Sequence, residues 1–238
     1  MVFRIQYRRP NHHSPPTASE IRQVARVTVD IFASHNIPCC LFGGAACALY
    51  GTTRTPGDVD LVVFTKSHTQ EELKRLLESK NSSFYTVAAK TPGATYRVLW
   101  YRIPGTTTFG GLPKLCKVDI LVPPTLNIPW VPPERIERID GIPVMPILPL
   151  LLLKLQGWED HTEAHQTHLR LKQTDDVRDI KELRRIAARR GIDLQTTKPE
   201  SWMSSALLDQ ARVRLGKVEA AETALDSLSS IFNNSLTF

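Results

Sequence analysis

Several things are missing from this sequence, and each absence closes off a class of structure or function. The four cysteines, Cys39, Cys40, Cys47 and Cys116, form no Cys-x-x-Cys pair and have no histidine cluster beside them. A zinc site is therefore not expected. Thiols set in apolar stretches read as buried free cysteines of a reducing compartment. No run is long and apolar enough to cross a bilayer: the longest, residues 147–155, is interrupted by Pro149 and Lys154. The first nineteen residues contain no acid and carry Arg4, Arg8 and Arg9. Phe3, Ile5 and Tyr7 alternate there, and Pro10, Pro15 and Pro16 break any helix, so the segment lacks the amphipathic helix of a mitochondrial presequence. It predicts a flexible or strand-like arm over residues 1–18, with a cytoplasmic or nuclear address. Internal repeats are absent as well.

What is present describes a folded chain. The 238 residues are 42% hydrophobic and 23% charged, enough apolar material for a core. At that length one large domain or two modest ones are expected. The net charge of +6 suits an ordinary basic surface, or a polyanionic partner such as a nucleoside triphosphate, RNA or DNA.

The pattern of apolar residues divides the chain. Ile21, Val24, Ala25, Thr28, Ile31 and Phe32 recur at helical spacing behind a cap at Thr17 or Ser19, ending near Asn36-Ile37-Pro38. Residues 39–42 read as a buried strand entering Gly43-Gly44, and residues 45–50 as a helical turn stopped by Gly51. Strands are predicted at 59–64, 84–88, 96–103 and 116–122, with the Pro92-Gly93 turn joining a hairpin and an edge strand at 142–144. A helix is predicted at 69–79 between the first two of these. After Met145 the pattern turns helical: 148–158, 176–190 and 202–232, with Gly216 as a weak point in the last. The expected organisation is a core over 19–146 and a helical portion over 147–238.

The chemistry gathers in residues 41–63. Asp58 and Asp60 are two residues apart in an apolar strand, so their side chains share one face with Cα atoms roughly 6–7 Å apart, while Val59 and Leu61 face the core. Two carboxylates that close repel unless a cation lies between them. Magnesium favours a few carboxylates together with substrate phosphates. Asp119, a lone acid inside the apolar strand Lys117-Val118-Asp119-Ile120-Leu121, is the candidate third ligand. Gly43 and Gly44 stand at a strand-to-helix junction, where glycine permits a sharp turn and close approach of a ligand, and where free helical N–H groups can hold phosphate oxygens.

Taken together, Gly43-Gly44, thirteen intervening residues, Asp58-Val59-Asp60 and a later strand aspartate at 119 resemble the DNA polymerase β-like nucleotidyltransferase superfamily. The stretch Tyr50-Gly51-Thr52-Thr53-Arg54-Thr55-Pro56-Gly57-Asp58-Val59-Asp60 looks most like the minimal nucleotidyltransferases of the AbiEii toxin type, which carry an arginine shortly before the first aspartate. Lys154 in a leucine run, and Lys172 followed by Asp176-Val177-Arg178-Asp179-Ile180, match further segments of that group. The likeness covers residues 41–183.

The resemblance implies an α+β nucleotidyltransferase fold: a mixed, largely antiparallel sheet flanked by helices, with a C-terminal helical portion. It implies transfer of an NMP from an NTP, ATP included, to a hydroxyl of a small molecule, protein or RNA. Asp58, Asp60 and Asp119 would be catalytic and hold Mg2+ or Mn2+. Gly43, Gly44, Arg54 and Lys154 would bind the nucleotide, with Lys172, Asp176 and Asp179 as supporting residues. A non-catalytic nucleotide- or RNA-binding module on the same fold, or a phosphotransferase, is the alternative.

Other features have plainer readings. Lys154 by itself reads as a lysine reaching past leucines to solvent, and Asp175 or Asp176 as a helix cap. His161, His165 and His168 fall on one face at helical spacing but read as a polar helix end. Arg184, Arg185, Arg189 and Arg190 read as a solvated face, since few aromatics interleave them.

Overall fold

The computed structural model describes residues 14–91, 93–108 and 111–235, with side chains described except at 168 and 224–235. The expected arm lies outside the described residues as far as residue 13, and so do Pro92 of the hairpin turn and residues 109–110. The chain divides into two compact units between Pro146 and Ile147.

In the first unit, α1 (Ala18–Ser34) leads into β1 (Cys39–Phe42), α2 (Gly43–Tyr50) and β2 (Asp58–Val63). Then come α3 (Gln70–Lys80), β3 (Phe84–Ala88), β4 (Arg97–Arg102), β5 (Leu115–Leu121), β6 (Glu137–Ile139) and β7 (Ile142–Val144). The seven strands form one sheet in the order β3-β4-β5-β2-β1-β7-β6. Four neighbouring pairs are antiparallel, while β1–β7 and β2–β5 are parallel.

Local chemistry accounts for most of these elements. Thr17 and Thr69 each close a capping box with the glutamate three residues on, Glu20 and Glu72. A cap of that kind stabilises a helix start by about 1 kcal/mol. Ile21, Val24, Ala25 and Phe32 of α1, and Leu73 and Leu77 of α3, are buried. They pack against the sheet and one another, as the 3.6-residue period requires. In β2 the alternation is direct: Val59 and Leu61 are fully buried while Asp58 and Asp60 are half-buried. The short α2 is tied down by the Tyr50 hydroxyl, which donates to the Met145 carbonyl at 2.9 Å. It ends at Gly51, with φ +103°.

Two expectations change here. Residues 142–144 are not an edge strand: β7 lies between β1 and β6. The missed β6 pairs with it through the Asp140-Gly141 turn, where both φ values are positive, 50° and 78°. That is the conformation a two-residue hairpin demands and Asp-Gly supplies. Gly43 and Gly44 are also not a turn before the helix but its first two residues.

The second unit contains α4 (Ile147–Glu163), the short α5 (Thr167–Arg170), α6 (Gln173–Arg189) and α7 (Ser205–Ser235). α7 runs through Gly216 without a break. The histidines at 161, 165 and 168 do not share a helix face, because α4 ends at Glu163 and Thr167 begins a separate helix. Asp175 and Asp176 do not cap α6: its N-cap is Lys172, without a side-chain cap bond. Glu159 of α4 accepts from Arg214 at 2.6 Å and Lys217 at 2.5 Å, clamping α7 to it. No helix among the described residues is long and apolar enough to cross a membrane.

Candidate active site

β2 and β5 run parallel with Asp60 opposite Asp119 and Asp58 opposite Lys117. Side chains alternate along both strands, so this register puts Asp58, Asp60, Lys117 and Asp119 on one face of the sheet. The three carboxylates each offer an oxygen within 4.8 Å of the other two, and all three are half-buried. Among the described residues this is the one group of its kind.

Lys117 was not singled out in the sequence, although it lies two residues before Asp119 and therefore on its face. Its ammonium is ion-paired with Asp119. Burial works against that charge, yet Asp119, followed by Asp58 and Asp60, raises the lysine above its ordinary pKa. The Lys117 ammonium thus sits among the three carboxylates.

The glycine pair forms the other wall. Gly43 has φ +58°, a left-handed conformation that costs an L side chain roughly 1–2 kcal/mol. A Cβ on Gly43 would overlap Asp60 Oδ2, and one on Gly44 would stand 2.7 Å from an Arg54 guanidinium nitrogen and 3.4 Å from Pro56 Cβ. The α2 N-terminus is therefore pressed against Asp60 on one residue and against Arg54 on the next. The missing side chains are what let a carboxylate and a guanidinium approach the first free N–H groups of that helix, where an anion is favoured.

Three carboxylates with no nitrogen or sulfur donor make an oxygen-only set, which fits a hard divalent cation such as Mg2+ and not zinc. The nearby thiol does not alter this. Cys116 is buried and free, and its pKa is raised by burial and then by Asp58, Asp60 and Asp119. Cys39, buried at the start of β1, is pushed up to about 12 by desolvation. The cysteines are structural thiols, as their apolar settings predicted.

The residues expected to support the site from the C-terminal portion gather within the second unit. Lys154 Nζ lies 2.8 Å from Asp179 Oδ2 and 3.5 Å from Asp176 Oδ1. His161 Nδ1 lies 2.5 Å from Asp176 Oδ2. Asp179 is fully buried and Asp176 nearly so. Lys154 thus reaches neither along leucines to open solvent nor alone. The i, i+3 aspartates of α6 hold it from a neighbouring helix. Lys172 is exposed at the α6 N-cap, apart from this network. His161 is the member that sequence reading did not connect to it.

No protein-family model matches the sequence, and no curated protein does. Solved structures do match. An antigenic nucleotidyltransferase-like protein from Paracoccidioides brasiliensis superposes with a TM-score of 0.60 at 20% identity, over 89% of this chain and 94% of that one. The antibiotic-resistance factor ANT(2'')-Ia gives 0.44 at 12% identity, over 89% and 99%. Terminal uridylyl transferase 4 from Trypanosoma brucei gives 0.33 at 14% identity, over 86% and 65%. The chain has a nucleotidyltransferase fold, a mixed and largely antiparallel sheet with flanking helices, as the glycine and aspartate motifs led one to expect.

Proposed function

We propose that this protein is a magnesium-dependent nucleotidyltransferase that moves an NMP from an NTP to a hydroxyl acceptor. The observation that carries the reading is the convergence of Asp58, Asp60 and Asp119 on one sheet face, beside a helix that starts at two glycines packed against Asp60 and Arg54. The shared fold with a nucleotidyltransferase-like protein is in keeping with it.

In this reading Asp58, Asp60 and Asp119 hold the divalent cation, Mg2+ or Mn2+, which when bound supplies charge neutralisation for the phosphates and the departing pyrophosphate. The N–H groups of Gly43 and Gly44 and the fork of Arg54 orient the triphosphate. The acceptor oxygen forms a bond to the α-phosphorus as the bond from that phosphorus to the bridging oxygen of the β-phosphate breaks. Pyrophosphate leaves with that electron pair, and the hydroxyl proton passes to an Asp119 carboxylate oxygen. Lys117 limits the mutual repulsion of the aspartates before substrate arrives.

Lys154, with Asp176 and Asp179, is the second unit's proposed contribution to nucleotide binding, and Lys172 is proposed to assist. Because Asp179 is buried and paired with Lys154, this group also sets the packing of α6 on α4.

The test is calorimetry of NTP binding with and without magnesium, paired with transfer of label from α-labelled NTP to total RNA, protein or small-molecule acceptors. Asp58→Ala/Asp60→Ala is expected to abolish magnesium-dependent affinity and transfer. Equal magnesium-dependent affinity in the wild type and the double variant would refute the assignment. A mass increase of one phosphate on the acceptor, instead of one NMP, would make the protein a phosphotransferase.

A further inference from the structure

We propose that the end of the first unit opposite the aspartates is a docking site for single-stranded nucleic acid, centred on Lys66 and Trp130. A recess of about 390 Å3 opens there, between the end of α1, the turn at residues 36–38 and the segment after β2. Its wall carries three groups able to be cationic, His35, Lys66 and His68, and no carboxylate. Such a lining selects for anions.

The details favour a nucleotide chain over a bare anion. Trp130 is 40% exposed, a large indole left partly open to water. Phe64 fixes it edge-on, with centroids 5.8 Å apart at 64°. The Lys66 ammonium stands 5.5 Å from its ring centroid. An anchored, exposed indole beside a cation is the pairing that single strands use, with a base on the ring and its phosphate on the charge. The ring of His68 is held as well. Ser67 Oγ lies 2.9 Å and Thr65 Oγ1 3.2 Å from its Nδ1.

Of the acids nearby on α3, one is neutralised by an ion pair and one keeps its charge. Glu72, in the first turn of α3, accepts from the backbone and hydroxyl of Thr69 at 2.7 and 2.9 Å, keeps its charge, and is the one of these two that interacts with His68. Glu71 is bound to Lys74 at 2.7 Å. A second recess of about 410 Å3 shares the 36–38 turn and extends along the β6–β7 hairpin, contributing one cation, Arg138, and one acid, Asp30.

Phe64 is four residues along the chain from Asp60, about 13 Å at strand rise. A strand held at this end does not compete with a nucleotide at the aspartates. Its use as the hydroxyl acceptor rests on the transferase reading above, whereas the docking itself does not.

The experiment is fluorescence anisotropy of a labelled 20-nucleotide oligouridylate, titrated with the full chain at several salt concentrations. The variants are Lys66→Glu, Trp130→Ala, Trp130→Phe and Asp58→Asn/Asp60→Asn, each with a melting curve. The wild type is expected to bind with an affinity that falls as salt rises. Lys66→Glu weakens binding tenfold or more and flattens the log–log salt slope by about 0.7. Trp130→Ala weakens it fivefold or more, while Trp130→Phe, which keeps a ring in place, stays nearer the wild type. The Asp58→Asn/Asp60→Asn variant keeps full strand affinity, even if NMP transfer is never detected. The proposal is overturned if the wild type shows no salt-dependent binding, or if Lys66→Glu and Trp130→Ala bind as the wild type does. It is also overturned if polyglutamate competes as well as oligouridylate and Trp130→Ala affects neither, since the recess would then suit an acidic peptide.

Discussion

A Cβ on Gly43 would occupy the space of Asp60 Oδ2. The glycine at the first position of α2 and the second aspartate of β2 are thus one unit, two chain-distant residues that exclude any bulk between them. Gly43→Ala is expected to displace the Asp60 carboxylate and strain the backbone at φ +58°. Magnesium-dependent NTP affinity should fall at least tenfold, and stability by roughly 1–3 kcal/mol. Gly44→Ala meets instead the far end of the Arg54 side chain. It should cost little stability and a smaller share of affinity. Calorimetry on the two variants distinguishes them, and equal effects would show that the Gly43–Asp60 contact is not special.

The Lys117 ammonium is ion-paired with Asp119, one of three carboxylates that offer oxygens within 4.8 Å of one another. Without divalent cation the cluster should therefore be a source of instability. Asp58→Asn is expected to raise metal-free stability by about 0.5–2 kcal/mol, as relief at a strained functional site does. It should also shrink the rise in melting temperature that magnesium produces. Lys117→Met should act oppositely, lowering the melting temperature in EDTA. Scanning calorimetry in EDTA and in magnesium reads both. A lower metal-free melting temperature for Asp58→Asn would contradict this account.

In the second unit, Lys154→Met would leave Asp179 buried without its ammonium 2.8 Å away. Breaking one side of a buried ion pair costs about 3–5 kcal/mol, whereas replacing both partners by apolar groups can be near neutral. Urea denaturation should show a large loss for Lys154→Met and substantial recovery in Lys154→Met/Asp179→Leu. If the double variant regains stability but not NTP affinity, Lys154 also serves the nucleotide. An unchanged single variant would remove the pair from the structural account.

Glu159 supplies a pH dependence. Its hydrogen bonds to Lys217 and Arg214, in that order of weight, hold its pKa below the ordinary value of 4.5. The folded state therefore binds fewer protons at this group than the unfolded state. The stability it contributes is present above pH 4.5 and is lost as pH falls through the lowered folded value. The gap in melting temperature between the wild type and Glu159→Gln should be full at pH 6–7 and close as pH drops toward 3. A gap that is constant with pH would show that the pair is not ionic.

Much of the molecule could be read before any coordinates because it depends on short-range geometry. The apolar face of α1 behind a cap at Thr17 or Ser19, and strands at 39–42 and 84–88, follow from propensity and period alone. So does the placing of Asp58 and Asp60 on one face, since alternation along a strand is a covalent property. The missed β6 failed on length: three residues carry almost no periodic signal. The Asp140-Gly141 turn was the available clue. The histidine face failed because helical spacing was extended past Glu163, where α4 stops.

The rest belongs to pairing between distant segments. Asp119 was a candidate because it is an acid in an apolar strand, but nothing local brings it opposite Asp60. The parallel β2–β5 register does that across 59 residues of chain, and carries Lys117 with it. Arg54 meets Gly44, and Lys154 meets Asp179, for the same kind of reason. Residue type and spacing determined which side chains could do phosphate and metal chemistry. Strand order and helix packing decided which of them share a site, because the closing of long loops and the burial of charge are settled by the whole fold and not by any stretch within it.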